Sequence, residues 1–219
     1  MDKPLPKSPK PRIHLENRMQ NGQRMLSPTA NRNKAPIGQA LVAYLPHGAT
    51  VLEIASGSGE HAVYICGLRG DITWQNSDPD EISRASQDDW ATTNPGQILA
   101  SLPLNMTETI WWRDLDEYDV VYCSNMIHIA PWDAALGLAE GCGHLIRSAG
   151  NLCLYGPFLE GADTAISNLE FSERLKARNP EWGVRKLSDV KHIFSEQGFN
   201  LIARIVMPKE NRLLIFEKM

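Results

Sequence analysis

The chain has 219 residues, 42% of them hydrophobic, and a formal net charge of −4. That length suits one α/β domain with a short extension, and the apolar share suffices for one substantial core. A negative net charge argues against a general nucleic-acid binder, and no apolar run approaches the ~20 residues that span a bilayer.

The charge is uneven. Residues 1–34 carry eight basic side chains against Asp2 and Glu16, a net of +6, which leaves −10 for the rest of a chain whose total is −4. Pro4, Pro6, Pro9, Pro11 and Pro28 punctuate this segment, so residues 1–31 read as a basic, Pro-rich arm or lid on a domain of residues 32–219. No apolar leader is visible at the N-terminus, and Cys66, Cys123, Cys142 and Cys153 form no C-x-x-C pair. Reduced core cysteines and a cytoplasmic location are expected.

Helical spacing then runs from about Asn33 to Leu45 and stops at Pro46-His47-Gly48. Beyond it, strands and helices alternate: a strand at Thr50–Ile54, a helix at Glu60–Leu68, a strand at Asp71–Asn76 and a helix at Asp80–Thr92. Strands follow at Ile98–Leu102, Tyr118–Cys123 and Asn151–Tyr155, with a helix at Trp132–Ile146 between the last two. Helices at Leu169–Ala177 and Ser188–Gln197 lead to two final strands, Phe199–Val206 and Leu213–Glu217. Alternation predicts a parallel sheet covered on both faces. The last gap is too short for a crossover helix, so the final pair must be antiparallel. A parallel nucleotide-binding sheet closed by such a hairpin is the pattern of class I S-adenosylmethionine (SAM) methyltransferases. The expected fold is therefore α/β, a Rossmann-like seven-stranded sheet, mostly parallel with a C-terminal antiparallel hairpin.

The turn Ala55-Ser56-Gly57-Ser58-Gly59 links the first core strand to its helix. Its glycines let backbone approach a ligand that a Cβ would hold off, and the helix start offers N–H groups to a carboxylate. A dinucleotide fingerprint would carry glycine at position 55 and a third glycine later, so an NAD oxidoreductase is disfavoured. Asp78 ends the next strand, where an acidic side chain accepts both ribose hydroxyls; alternatively it caps the following helix. Glu53 needs a partner if buried, either the amino group of the cofactor's methionine moiety or N–H groups of the turn. Asn105 and Met106 follow the third strand, where adenine would lie.

The runs Val51–Ala62, Trp74–Asp80, Asn125–Trp132, Tyr155–Phe158 and Pro180–Arg185, with Ser27-Pro28 and Asn31–Lys34, resemble a small family of methyltransferase-like proteins long described as a domain of unknown function. The similarity runs from about Ser27 to the end of the chain. It implies SAM binding and the methyltransferase fold, without a substrate. In that frame the cofactor set is Arg32, Asn33, Glu53, Ala55, Ser56, Gly57, Gly59, His61, Asp78, Pro79, Asn105, Met106, Asn125 and Met126.

Ligands of open α/β sheets bind beyond the carboxyl ends of the strands, so residues 124–132 should overhang the sulfonium. His128 is the candidate base, or else a structural histidine; Tyr155 and Asn125 are candidates to orient the acceptor. Trp111, Trp112, Trp132, Phe158 and Trp182 could line an apolar acceptor pocket or simply pack. No metal-ligand spacing is present. The expected activity is SAM-dependent methyl transfer to a small molecule, yielding S-adenosylhomocysteine. The alternatives are other SAM-consuming chemistry that releases methylthioadenosine (cyclisation or aminocarboxypropyl transfer) and SAM binding without turnover.

Overall fold

The computed structural model describes residues 18–219, so the first part of the predicted arm, with Lys3, Lys7, Lys10 and Arg12, lies outside the described residues. The described part of that segment is folded. β1 (Met19–Asn21) and β2 (Arg24–Leu26) form an antiparallel hairpin, turned at Gly22 with φ +65°. α1 (Pro28–Leu41) follows at once: the Ser27 hydroxyl accepts from Ala30 N at 3.0 Å and Pro28 opens the first turn. This helix starts earlier than the expected Asn33. Apolar periodicity marks only its buried stripe, Ile37, Gly38 and Leu41, whereas the first turns are polar and begin at a cap.

The remaining elements are β3 (Thr50–Ile54), α2 (Glu60–Leu68), β4 (Thr73–Ser77), α3 (Glu81–Ala91), β5 (Ile98–Leu102), β6 (Tyr118–Ser124), α4 (Trp132–Leu145), β7 (Ile146–Pro157), α5 (Ile166–Arg178), α6 (Leu187–Ser195), β8 (Phe199–Met207) and β9 (Asn211–Lys218). One sheet of seven strands has the order β5-β4-β3-β6-β7-β9-β8. β3, β4, β5, β6 and β7 run parallel; β9 pairs antiparallel with both β7 and β8, as the short connection required. The strand order reverses beside β3, between β4 and β6. In open α/β sheets the ligand crevice lies at such a switch point, here at the carboxyl ends of β3, β4 and β6.

Period-two alternation divides the core between the sheet faces. Val51, Tyr122, Cys153 and Tyr155 pack with Ile37 and Leu41 of α1 and with Ala62 and Ile65 of α2. Leu52, Ile54, Val121 and Cys123 pack with Leu138 and Cys142 of α4 and with Val190 and Phe194 of α6. No described helix is long and apolar enough to cross a membrane.

Candidate active site

The turn after β3 has the geometry its small residues permit. Ala55, Gly57 and Gly59 have φ of +54°, +58° and +90°. Ala55 bears the cost of a left-handed backbone with a side chain, a strain that persists only where neighbours over-determine it. Here the neighbour is β4: Ser56 N donates to the Ser77 carbonyl at 2.8 Å, and Ser77 N donates to Ser56 Oγ at 3.1 Å. Both serine hydroxyls donate to the Glu53 carbonyl, Ser77 at 2.7 Å and Ser56 at 3.2 Å. A Cβ on Gly59 would meet the Cα of Gln87 at 3.0 Å, so α3 also crowds the turn.

Asp78 is turned onto this loop rather than onto the next helix. Its Oδ2 accepts from Gly57 N at 3.0 Å and its Oδ1 from Asp80 N at 3.0 Å. The cap of α3 is Asp80, whose carboxylate accepts from Ser83 N at 2.9 Å. Of the two roles open to Asp78 in the sequence, helix capping is thereby excluded. Burial pushes its carboxyl up to about 6, against the pull of the two N–H groups. Each oxygen keeps a lone pair for a further donor. Pro79 is exposed beside it.

Glu53 is buried, and its partners within the protein are not the N–H groups of the turn. Its Oε2 accepts from the Trp74 indole at 3.0 Å, and its Oε1 lies 3.6 Å from His61 Nδ1. The Tyr122 hydroxyl lies 3.4 Å from the same ring nitrogen. This chain of polar groups lies under the turn, on the α2 face of the sheet. Among the described residues, the buried polar atoms without a partner include Arg18 Nε, His61 Nε2, Asn76 Oδ1 and Gln87 Oε1. Gln87 donates to the Gly57 carbonyl at 3.1 Å, His61 lies in the first turn of α2, and Asn76 pairs in register with Glu53. Unsatisfied donors and acceptors beside a glycine turn at the switch point fit a polar ligand such as a nucleoside.

The overhang after β6 is built differently from expectation. Asn125, at φ +61°, donates its N–H to the Tyr155 carbonyl at 2.8 Å and its side-chain amide to Ser124 Oγ at 3.1 Å. Met126 is half-buried against the α4 side of the core. His128 is 1% exposed, edge-on to Phe158 at 5.3 Å between centroids. Its carbonyl accepts from Gly183 N at 2.9 Å, and its Nδ1 accepts from Arg185 N at 3.4 Å. Burial and the nearby Arg185 charge lower its pKa to about 3. The ring is buried and weakly basic, and its contacts fasten the overhang to residues 183–185.

Arg185 completes that tether and was missed as a functional candidate. It donates to the carbonyls of Ile127 at 2.8 Å, Ala130 at 2.7 Å and Glu181 at 2.8 Å, and its guanidinium lies 5.5 Å from the Trp132 ring. Tyr155 sits on the α1 side of the sheet, away from His128. Its hydroxyl accepts from Asn211 at 3.0 Å, and burial pushes it up to about 12 although the Arg32 charge opposes this. Arg32 is exposed and donates to Thr29 Oγ1 at 3.1 Å; Asn33 beside it is half-buried.

Two expected adenine contacts are engaged elsewhere. The Asn105 side-chain oxygen accepts from Thr107 N at 3.1 Å and from Thr107 Oγ1 at 2.9 Å, a local turn. Met106 is buried in the α4 core. Trp111 and Phe158 are also core: Trp111 donates to the Gly137 carbonyl at 2.9 Å. An open depression of about 520 Å³ lies at the other end of the sheet, among Thr50, Thr73, Tyr118 and Arg147. It marks the amino ends of the strands, where open α/β sheets do not hold their ligands.

A family model described as "Protein of unknown function (DUF938)" matches residues 24–218. Solved structures share the fold. An O-methyltransferase family 2 protein from Planctomyces limnophilus, in complex with apigenin, superposes with a TM-score of 0.74 at 17% identity, covering 87% of this chain and 58% of that one. An O-methyltransferase family protein from Burkholderia thailandensis gives 0.71 at 16% identity, covering 84% and 56%. CalO1, a methyltransferase in calicheamicin biosynthesis in its SAH-bound form, gives 0.70 at 11% identity, covering 87% and 54%. The chain thus spans little more than half the length of these proteins, and the likeness is one of fold.

Proposed function

The chain belongs to the DUF938 family of proteins of unknown function, and from its own crevice we propose that it is a SAM-dependent methyltransferase acting on a small-molecule acceptor. The observation that carries this reading is the Asp78 carboxylate turned onto Gly57, at the switch point of the sheet. In this reading Asp78 accepts the ribose hydroxyls, and the backbone of residues 55–59 runs along the cofactor. Glu53, braced by Trp74 and His61, faces the amino group of the methionine moiety. Arg32 and Asn33 serve its carboxylate. Asn125 and Met126 border the reacting end.

The bound cofactor supplies an electrophilic methyl carbon on a sulfonium. The protein's task is to hold a nucleophile in line, about 3–3.5 Å from that carbon, and to exclude water. With His128 buried and neutral, positioning carries the chemistry, which suits an acceptor that is already nucleophilic. Methyl transfer would join the methyl carbon to the acceptor's lone pair and leave the C–S electron pair on sulfur as S-adenosylhomocysteine.

Calorimetry with SAM and S-adenosylhomocysteine tests the proposal. The protein should bind both, and Asp78→Ala should weaken binding at least tenfold. No heat of binding at millimolar ligand would contradict it. Mass spectrometry of turnover mixtures then reads the reaction: S-adenosylhomocysteine signals methyl transfer, whereas methylthioadenosine signals attack at another carbon of the sulfonium.

A further inference from the structure

The N-terminal hairpin brings a cation to the glycine turn. Arg18 immediately precedes β1, and its guanidinium lies over Gly57. A Cβ on that glycine would meet Arg18 Nη2 at 3.2 Å, and Cζ and Nη1 at 3.7 Å. Arg18 is half-buried, and its Nε is buried without a hydrogen-bond partner. A buried guanidinium N–H without an acceptor is a donor that a ligand at the turn could satisfy.

The hairpin that carries it is firmly docked. Arg24 donates to Asp89 Oδ1 at 3.1 Å and to the Asp89 carbonyl at 2.9 Å. Met25 N donates to Ser86 Oγ at 2.8 Å, and the Trp90 indole donates to the Met25 carbonyl at 3.2 Å. Ser27 N donates to Glu60 Oε2 at 2.7 Å. These partners lie on α3 and at the start of α2, the helices that follow Asp78 and the glycine turn. The hairpin therefore sits on the β4 side of the turn, by the ribose position, and not on the Asn125 side, by the reacting end.

We infer that Arg18 is the outer wall of the adenosyl site: its guanidinium, held over Gly57, covers the ribose held by Asp78 and sets a positive charge beside that carboxylate. This rests on the reading of the turn and Asp78 as a nucleoside site. Among the described residues, the groups that face Asp78 are few. Asp80 on α3 opposes its ionisation; the N–H groups of Gly57 and Asp80 favour it, and so does the Arg18 charge. Arg84 on α3 donates to the Asp78 and Pro79 carbonyls at 2.9 and 3.0 Å rather than to the carboxylate. Gln87 is neutral, and on the β5 side the Leu102 carbonyl accepts from Asp78 N at 3.0 Å. Arg18 is thus a cation whose removal acts on the carboxylate without breaking either of its hydrogen bonds.

The test compares wild type, Arg18→Ala and Arg18→Lys, with thermal unfolding as the folding control. Affinities for S-adenosylhomocysteine and methylthioadenosine are measured from pH 5 to 8, a range that brackets a group near about 6. Wild-type affinity for both ligands should fall as pH drops through that value, because protonated Asp78 loses acceptors. Arg18→Ala should weaken both ligands by a similar factor, about tenfold, and move the pH of the fall upward. Arg18→Lys should keep that pH position while recovering only part of the affinity. Unchanged or tighter binding by Arg18→Ala overturns the inference, as does uniform weakening with no change in the pH profile. A loss confined to S-adenosylhomocysteine would put Arg18 on the amino-acid end and overturn the adenosyl assignment. Wild-type protein that binds neither ligand overturns this inference together with the function it rests on. Carboxyl-carbon NMR of Asp78 in the ligand-free protein gives a separate reading: its titration must move upward in Arg18→Ala, and a fixed midpoint overturns the inference even if wild type binds.

Discussion

The Nδ1 atom of His128 accepts from the Arg185 N–H, which leaves the ring proton on Nε2, an atom buried without a partner. A Cβ on Gly156 would meet that Nε2 at 2.6 Å, so the ring fills the space the glycine leaves. The neutral ring has a pH signature. In the native state it protonates only near about 3, against an ordinary 6.5. Unfolding therefore takes up a proton at intermediate pH. Stability from this group is complete above about 6.5 and declines as pH falls toward about 3. The slope is at most about 1.4 kcal/mol per pH unit. Denaturant midpoints at pH 7 and pH 5 should therefore show a smaller acid loss for His128→Asn than for wild type. Equal losses would mean that His128 titrates normally. His128 as a residue of the overhang was legible in the sequence, because it follows an apolar strand. Its burial was not, because that depends on the docking of residues 179–185, a contact between distant segments that no local pattern encodes.

At the level of elements, α4 contains Gly137 and Gly141, which weaken a helix by about 1 kcal/mol each relative to alanine. Packing against residues 106–111 explains them. A Cβ on Gly137 would lie 1.9 Å from the Met106 carbonyl oxygen, and one on Gly141 would lie 2.1 Å from the Trp111 ring. The first obstacle is backbone and cannot swing aside. Gly137→Ala should then destabilise the protein by about 1–3 kcal/mol or more, despite the gain in helix propensity. A fall of about 2–4 °C in Tm per kcal/mol is expected for a chain of this size. Gly67→Ala in α2 is the contrast, since its Cβ meets nothing within 4 Å and its Tm should hold or rise. A Gly137→Ala protein as stable as wild type would mean that residues 104–112 are not seated on α4. The same contrast shows what was legible. α4, β6 and the closing hairpin follow from apolar period and connection length. The start of α1 carried a local signal, Ser27-Pro28, but the apolar stripe pointed later. The β1–β2 hairpin carried a turn signal at Asn21-Gly22 but little in its strands, which are three residues each and hold by contacts to α3.

For the whole molecule, the sheet separates two cores, one under α1 and α2 and one under α4 and α6, and each holds two cysteines. Cys66 and Cys153 lie in the first, Cys123 and Cys142 in the second, and all four are free and buried. Burial raises each thiol; Cys66 and Cys123 are pushed up to about 12, and Cys142 and Cys153 are raised as well. A thiol that is both inaccessible and protonated does not react, since the thiolate is the nucleophile. The central strands β3, β6 and β7 contribute to both faces, so neither core can open alone without exposing the other. A disulfide reagent added to native protein should therefore modify none of the four at a rate near that of a free thiol. Across a denaturant series, all four should become reactive with one midpoint, coincident with loss of helical circular dichroism. The sharpest comparison is between Cys66 on α2, next to the glycine turn, and Cys142 on α4. Earlier reaction at Cys66 would mean that the α2 side, and with it the floor of the glycine turn, opens as a separate unit. A single midpoint would mean that the glycine turn opens only with the sheet that carries it.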